Sequence, residues 1–107
     1  MSNAARLIIV QCHDPLMWYR DLIGHVVPLV RDLPSDHSWL SREPSGLTNI
    51  VRYRDANPIP NGWKAAANSD QFQHNDLVLE HGHWLKPRIE LIGTPVGKHI
   101  VIRKEAP

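Results

Sequence analysis

Ser38-Trp39-Leu40-Ser41-Arg42-Glu43-Pro44-Ser45-Gly46-Leu47-Thr48-Asn49-Ile50-Val51-Arg52-Tyr53-Arg54 is the stretch on which the fold turns. Pro44-Ser45-Gly46 has the chemistry of a tight turn. Proline presets one backbone angle, and Gly46 accepts a positive φ. Ser38–Glu43 on one side and Leu47–Arg54 on the other read as strands. Leu47–Arg54 alternates with period two, setting Ile50, Arg52 and Arg54 on one face and Asn49, Val51 and Tyr53 on the other. This pattern is that of an antiparallel hairpin.

Upstream, His25–Arg31 is strand-like but carries Pro28, which cannot donate to a ladder. It is therefore expected as an edge strand or at a bulge. Residues 25 to 54 then form a three-stranded meander, with a turn at Leu33-Pro34-Ser35-Asp36. Arg6–Cys12 is a further strand, and its unbroken apolar run predicts burial on both faces. Met17–Gly24 is expected as a single helical turn ended by Gly24.

Downstream, Asp55–Gly62 reads as a loop because of Pro58, Pro60 and Gly62. Trp63–Gln73 reads as weakly helical or an ordered loop, and Leu77–Glu80 as a short strand broken by Gly82. Arg88–Ile92 and Lys98–Lys104 read as strands joined by a Gly93–Gly97 hairpin loop. Six or seven short strands punctuated every 8–12 residues indicate a mainly β chain, a small barrel or sandwich. No repeat of fixed period and no low-complexity tract is present.

Composition agrees. The chain has 107 residues, of which 42 % are hydrophobic and 21 % charged, the balance of a single globular domain. The 12 basic and 11 acidic residues exclude a highly charged nucleic-acid clamp. Nine Pro and six Gly exclude a long helical bundle. The lone Cys12 excludes an intrachain disulfide and a Cys-rich zinc finger. Leu7–Val10 is the longest aliphatic run, far short of the ~20 residues of a membrane span. Met1–Ala4 lacks the pattern of a secretory signal, and Ser2-Asn3-Ala4 reads as a cloning remnant. Cytoplasmic localisation, without a membrane partner, is the expectation.

Residues 18–55 carry a compound pattern: Trp18-Tyr19-x-Asp21-x-Ile23-Gly24, an apolar strand, Ser41-Arg42-Glu43-Pro44-x-Gly46-x-x-Asn49, and a closing Asp55-Ala56. The pattern resembles the small SH3-like β-barrel proteins of bacterial genomes and phages. The resemblance covers roughly residues 5–60. It departs from the group at Leu47, where an aromatic is common, and in residues 61–107. It implies an SH3-like barrel core over 5–60; the strands read in 61–107 then form a C-terminal β-rich extension expected to pack on it, in a single domain. It implies a fold and no reaction.

Candidate chemistry is sparse. His81-Gly82-His83 sets two imidazoles on one face if extended. His74, His13 or His99 could add a third ligand, and Asp76 or Glu80 a carboxylate, but the spacing is not His-Glu-x-x-His, so exposed turn residues are the plainer reading. Gly93–His99 superficially resembles a phosphate loop, but its glycine spacing is short and His99 stands where Ser or Thr must hold magnesium. Cys12, His13 and Asp14 are adjacent, and neighbours on a strand point to opposite faces, so a nucleophile pair is not expected. These residues point away from an enzyme and imply no cofactor.

Two binding readings remain. Arg42, Arg52 and Arg54 with Trp39 and Tyr53 could form a basic-aromatic face for single-stranded nucleic acid, offset by Glu43 and Asp55. The plainer alternative is a solvated sheet face with weak ion pairs. Trp63 and Trp84 with the prolines could instead mark a protein interface. The leading expectation is a non-enzymatic interaction module with a protein partner. The Pro28 strand and Lys98–Lys104, as possible edges, leave homo-oligomerisation open.

Overall fold

The computed structural model describes residues 5–106. Ser2–Ala4, expected as a cloning remnant, lies outside the described residues. The chain divides into two compact units, Met1–Asn61 and Gly62–Pro107. Each unit has its own buried cluster. The architecture is mainly β, and the described residues form ten short strands in three antiparallel sheets. Among the described residues none of these sheets closes on itself, and no helix is long and apolar enough to cross a membrane.

In the first unit, β1 (Arg6–Ile9) is the central strand between β2 (Val26–Pro28) and β6 (Ala56–Ile59). Leu7, Ile8 and Ile9 are all buried, so the unbroken apolar run is buried on both faces as expected. Backbone bonds from Ile9 N–H to His25 O and from Leu29 N–H to Ala5 O flank the β1–β2 ladder. Residues 25, 27 and 29 therefore face β1, while Val26 and Pro28 face outward. On the other side Val10 N–H donates to Asp55 O, so Asn57 and Ile59 face β1 and Pro58 faces outward. Both prolines thus occupy positions whose missing N–H costs the ladder nothing. The Pro28 expectation of an edge holds. The expected loop over 55–62 is corrected to a strand, because Pro58 has the parity that an edge strand tolerates.

The second sheet, β3 (Arg31–Leu33), β4 (Ser38–Arg42) and β5 (Thr48–Arg52), is a meander. Its β4–β5 hairpin turns at Pro44-Ser45-Gly46, with Gly46 at φ 100° and its N–H donating to Glu43 O. The meander predicted over 25–54 is split: β2 pairs with β1 and only β3 joins β4. Met17–Gly24 forms no helix. Asp14 Oδ1 accepts from Leu16 N–H, and a train of tight turns follows through Met17, Arg20 and Leu22 to Gly24 at φ 84°.

That train delivers Trp18 and Tyr19 to the outer edge of β5. Glu43 N–H donates to Leu47 O, so residues 47, 49 and 51 face β4, and Thr48, Ile50 and Arg52 present their main-chain groups outward. Trp18 Nε1 donates to Ile50 O at 2.7 Å, Ile50 N–H donates to Asn49 Oδ1 at 2.8 Å, and Arg52 N–H donates to Tyr19 Oη at 3.4 Å. Side chains occupy the positions where a further strand would bond. Their rings meet edge to face at 5.4 Å over the core of Leu7, Ile9, Val27, Val51 and Ala56. Trp18→Phe loses the donor together with part of the ring area over the core. It is expected to lower stability by about 1 kcal/mol or more in urea unfolding, at least the worth of one hydrogen bond. An unchanged midpoint would mean that neither the indole N–H nor the lost ring area holds this edge.

In the second unit, β10 (Val101–Lys104) is central, flanked by β7 (Trp63–Ala65) and by β8 (Leu77–Glu80), with β9 (His83–Leu85) beyond β8. The Leu77–Glu80 strand is as expected. The weakly helical reading of Trp63–Gln73 is corrected at its start, where β7 pairs with β10. The expected hairpin of Arg88–Ile92 with Lys98–Lys104 does not form. Ile89–Leu91 is a 3₁₀ turn, and Gly93–Gly97 runs along 68–72 through bonds such as Phe72 N–H to Thr94 O and Val96 N–H to Asp70 O. The physical reason is burial: Val101 and Ile102 point to opposite faces and both are buried, which suits a central strand and not an edge. The suggestion that Lys98–Lys104 is an edge for self-association is corrected accordingly.

Phe72, Val78, Val96 and Val101 form this unit's cluster. Beside it Asp76, 1 % exposed, takes two bonds from the Arg103 guanidinium at 2.9 and 3.0 Å and one from Gln73 N–H at 2.9 Å. Arg103 also donates to Gln71 O.

Candidate functional site

The first unit has an open seam between its two sheets. Ser41 Oγ donates to Pro28 O at 2.6 Å and ties β2 to β4 at one point. Beyond that tie lies a groove of about 330 Å³ lined by Leu22, His25, Val26, Val27, Pro28, Arg42, Glu43 and Pro44. One wall is the outer edge of β2, where the parity above turns the N–H and C=O of Val26 away from β1. The other wall is the end of β4. Val30 N–H donates to Leu40 O, so residues 40 and 42 face the β3 side, and the β3 pairing begins only at Arg31–Leu40. The main-chain groups of Arg42 therefore project past the end of β3. The lining is mostly apolar. At the rim, Arg42 Nη1 donates to Gly46 O at 2.8 Å, and Glu43 Oε2 accepts from Asn49 Nδ2 at 2.9 Å.

A second constellation centres on Asp55, 1 % exposed. Its Oδ2 accepts from the Tyr19 hydroxyl, and Oδ1 lies 2.7 Å from His13 Nδ1. A carboxylate only accepts, so Nδ1 carries the proton of that bond. Burial pushes the Asp55 carboxyl up, but the bonds from Tyr19 and His13 outweigh it and hold the group below the usual carboxylate value. Burial and the bond to Asp55 push the Tyr19 phenol up. The Cys12 thiol nearby is pushed up by burial, then by Asp55 and Asp14, and its Sγ donates to Asp14 O. That environment holds a thiol rather than a nucleophilic thiolate. Tyr19 and Asp55 both belong to the compound sequence pattern, but only the fold shows that they bind each other.

The basic-aromatic group is distributed otherwise than its spacing suggested. Arg42 and Arg52 share a face, yet Arg42 stands opposite Thr48 and Arg52 opposite Ser38, four register steps or about 13 Å apart. Arg54 does not continue the period-two face, because Tyr53–Asp55 is a 3₁₀ turn. Trp39 stands opposite Val51, on the other face, and its ring meets that of Tyr53 at 4.6 Å. The Tyr53 hydroxyl donates to Asp32, which pushes its phenol pKa up.

His81 and Gly82 are the two central residues of the β8–β9 hairpin, with φ 52° and 80°, the signature of a type I′ turn. The segment is not extended at His81, so the expected shared imidazole face does not form. Both His81 and His83 are exposed. Among the described residues no group of three or more His, Cys, Asp or Glu is placed to hold a metal. Trp63 and Trp84 are half-buried on β7 and β9, the two outer strands of their sheet. By register both lie on the face that carries Ile102, opposite the Val78–Val101 face. They stand three strand spacings apart, about 14 Å, and four register steps apart along the strands, about 13 Å, so they are about 19 Å from each other and form no single anchor.

Comparison with known proteins finds no matching family model, no matching curated protein and no matching solved structure.

Proposed function

We propose that this protein is a non-enzymatic protein-interaction module that engages its partner through the seam of the first unit. In this reading the first unit is an SH3-like barrel left open between β2 and β4, and the protein is an accessory factor of the bacterial or phage type that the compound pattern resembles. The observation that carries it is the groove: apolar lining together with outward main-chain groups of Val26 and Arg42. A volume near the small end of ligand pockets, about 300 Å³, takes a few side chains rather than a folded surface. The scattering of Arg42, Arg52 and Arg54 weighs against a nucleic-acid face, which needs its cations aligned along one backbone.

The test is selection of displayed random heptapeptides on the intact protein. Enriched sequences are expected to bind the wild type and to be lost on Val26→Asp, a substitution at an exposed position. Clones that bind both proteins equally would displace the seam. Failure to enrich any sequence, with single-stranded DNA or RNA bound at low salt and released as salt rises, would replace this reading with the nucleic-acid one.

A further inference from the structure

The seam also indicates how a partner binds, an inference that rests on the interaction reading above. We propose that the occupant is an extended peptide segment of another protein, added as a strand against Val26, with alternate apolar side chains in the groove and an acidic residue at its Arg42 end.

The main-chain argument comes first. Edge strands usually blunt themselves against addition. This unit blunts the outer edge of β5 thoroughly, with Trp18, Tyr19 and Asn49. The outer edge of β2 is treated differently. Pro28 has no N–H to offer and its carbonyl accepts from Ser41 Oγ, but Val26 keeps a donor and an acceptor that parity directs outward. Across the groove the β4 end presents Arg42 in the same way. A single extended chain between them can bond to Val26 on one side and reach Arg42 on the other, the geometry of strand addition to an exposed sheet edge. A helix satisfies its own main chain and leaves these groups unmet.

Side chains fix the rest. Leu22, Val27, Pro28 and Pro44 make the lining apolar, and a strand sends every second side chain to one face, so alternate apolar residues match it. Val26, itself a lining residue, is exposed and adds to that apolar surface. The rim carries one charge of each sign, and the two differ in the bonding capacity each keeps. Glu43 spends one carboxylate oxygen on Asn49, whereas only Nη1 of Arg42 is committed to Gly46 O. The remaining guanidinium donors, with His25 among the lining residues, favour a carboxylate on the peptide.

The experiment uses the full chain and four synthetic peptides titrated by fluorescence anisotropy. The first has alternating valines flanked by glutamate. The second replaces glutamate by lysine. The third, made as a set, is the glutamate peptide with each central amide N-methylated in turn, and the fourth is its scrambled sequence. The glutamate peptide is expected to bind best. N-methylation on the bonding edge should weaken it about tenfold, the equivalent of one lost hydrogen bond. Arg42→Glu should reverse the preference to the lysine peptide. Binding that ignores N-methylation of each central amide in turn overturns strand addition while leaving the interaction module intact. Equal binding of the scrambled peptide, or no binding by any of the four while displayed peptides are still captured in a Val26-dependent way, overturns the proposed occupant. A mass of two chains by light scattering that Val26→Asp reduces to one would make the occupant a second copy and overturn the proposal.

Discussion

Asp55→Ala is expected to lower the unfolding free energy of the first unit by about 3 kcal/mol, the cost of leaving the buried Tyr19 hydroxyl without its acceptor and of the space the carboxylate filled. Asp55 is 1 % exposed and Tyr19 is fully buried, so water cannot readily replace the carboxylate at the phenol, whereas the exposed His13 can turn to water. Alanine leaves the Tyr19 hydroxyl and the His13 Nδ1–H without it, and removes volume between them. A unit of roughly 60 residues holds about 3–9 kcal/mol in total at the usual per-residue stability. The variant therefore sits close to its unfolding threshold at 25 °C. Asp55→Asn keeps an acceptor for Tyr19 and is expected to lose only about 1–2 kcal/mol. The pH dependence follows from the lowered carboxyl. Above its ordinary value of 3.8 the group is ionised folded or unfolded, and its contribution is fully present. As pH falls through the lowered value the folded state must take up a proton it resists, and the contribution is lost. Asp55→Asn removes this share of the acid sensitivity. Urea midpoints followed by tryptophan fluorescence at pH 7 and pH 3 measure both effects. If Asp55→Ala is no less stable than Asp21→Ala, a change at a highly exposed carboxylate, the cluster is not what holds this unit together.

This cluster also shows how far the sequence reaches. The β4–β5 hairpin was legible because Pro44-Ser45-Gly46 is local turn chemistry flanked by strand-forming residues. The double burial of β1 was legible because Leu7, Ile8 and Ile9 leave no polar face. Leu77–Glu80 stood out because Gly82 punctuates it. The failures over the strands share a cause: each depends on a partner distant in sequence. Pro58 looks like a breaker until β1 fixes its parity, and Pro28 carried the correct edge signal because a proline in a strand predicts an edge whatever the partner. Val101 and Ile102 look like half of a hairpin until two strands claim them. For the candidate site, Arg42 was singled out by charge, but its role at the seam depends on where β3 begins. Val26 carries no sequence signal beyond its neighbour Pro28. Tyr19 and Asp55 were visible as landmarks of one pattern, 36 residues apart, and their bond needs the turns of 14–24 to bring them together.

In the second unit the largest effect is expected from Arg103→Met, at about 3–5 kcal/mol, because removing one partner of a buried pair strands the other. Asp76 is 1 % exposed, and the guanidinium supplies two of its three side-chain contacts, leaving the Gln73 amide alone. Those same bonds push the Arg103 pKa further up. The unit's apolar cluster is small, built on Phe72, Val78, Val96 and Val101, so little else offsets the loss. A unit of under 50 residues carries about 2–7 kcal/mol at the usual per-residue stability. Arg103→Met should then expose the β8 and β10 amides to rapid hydrogen exchange. The variant Arg103→Met/Asp76→Leu is the discriminating control. It removes the stranded carboxylate together with its partner and fills the space with apolar atoms. If the penalty is mainly desolvated charge, the double variant recovers much of the loss, and exchange slows again in β8 and β10. If the Arg103 contacts to Gln71 O and Asp70 hold the 68–72 segment in place, the double variant stays as unprotected as the single one. Slow exchange at β10 in Arg103→Met itself would remove the pair from any structural role.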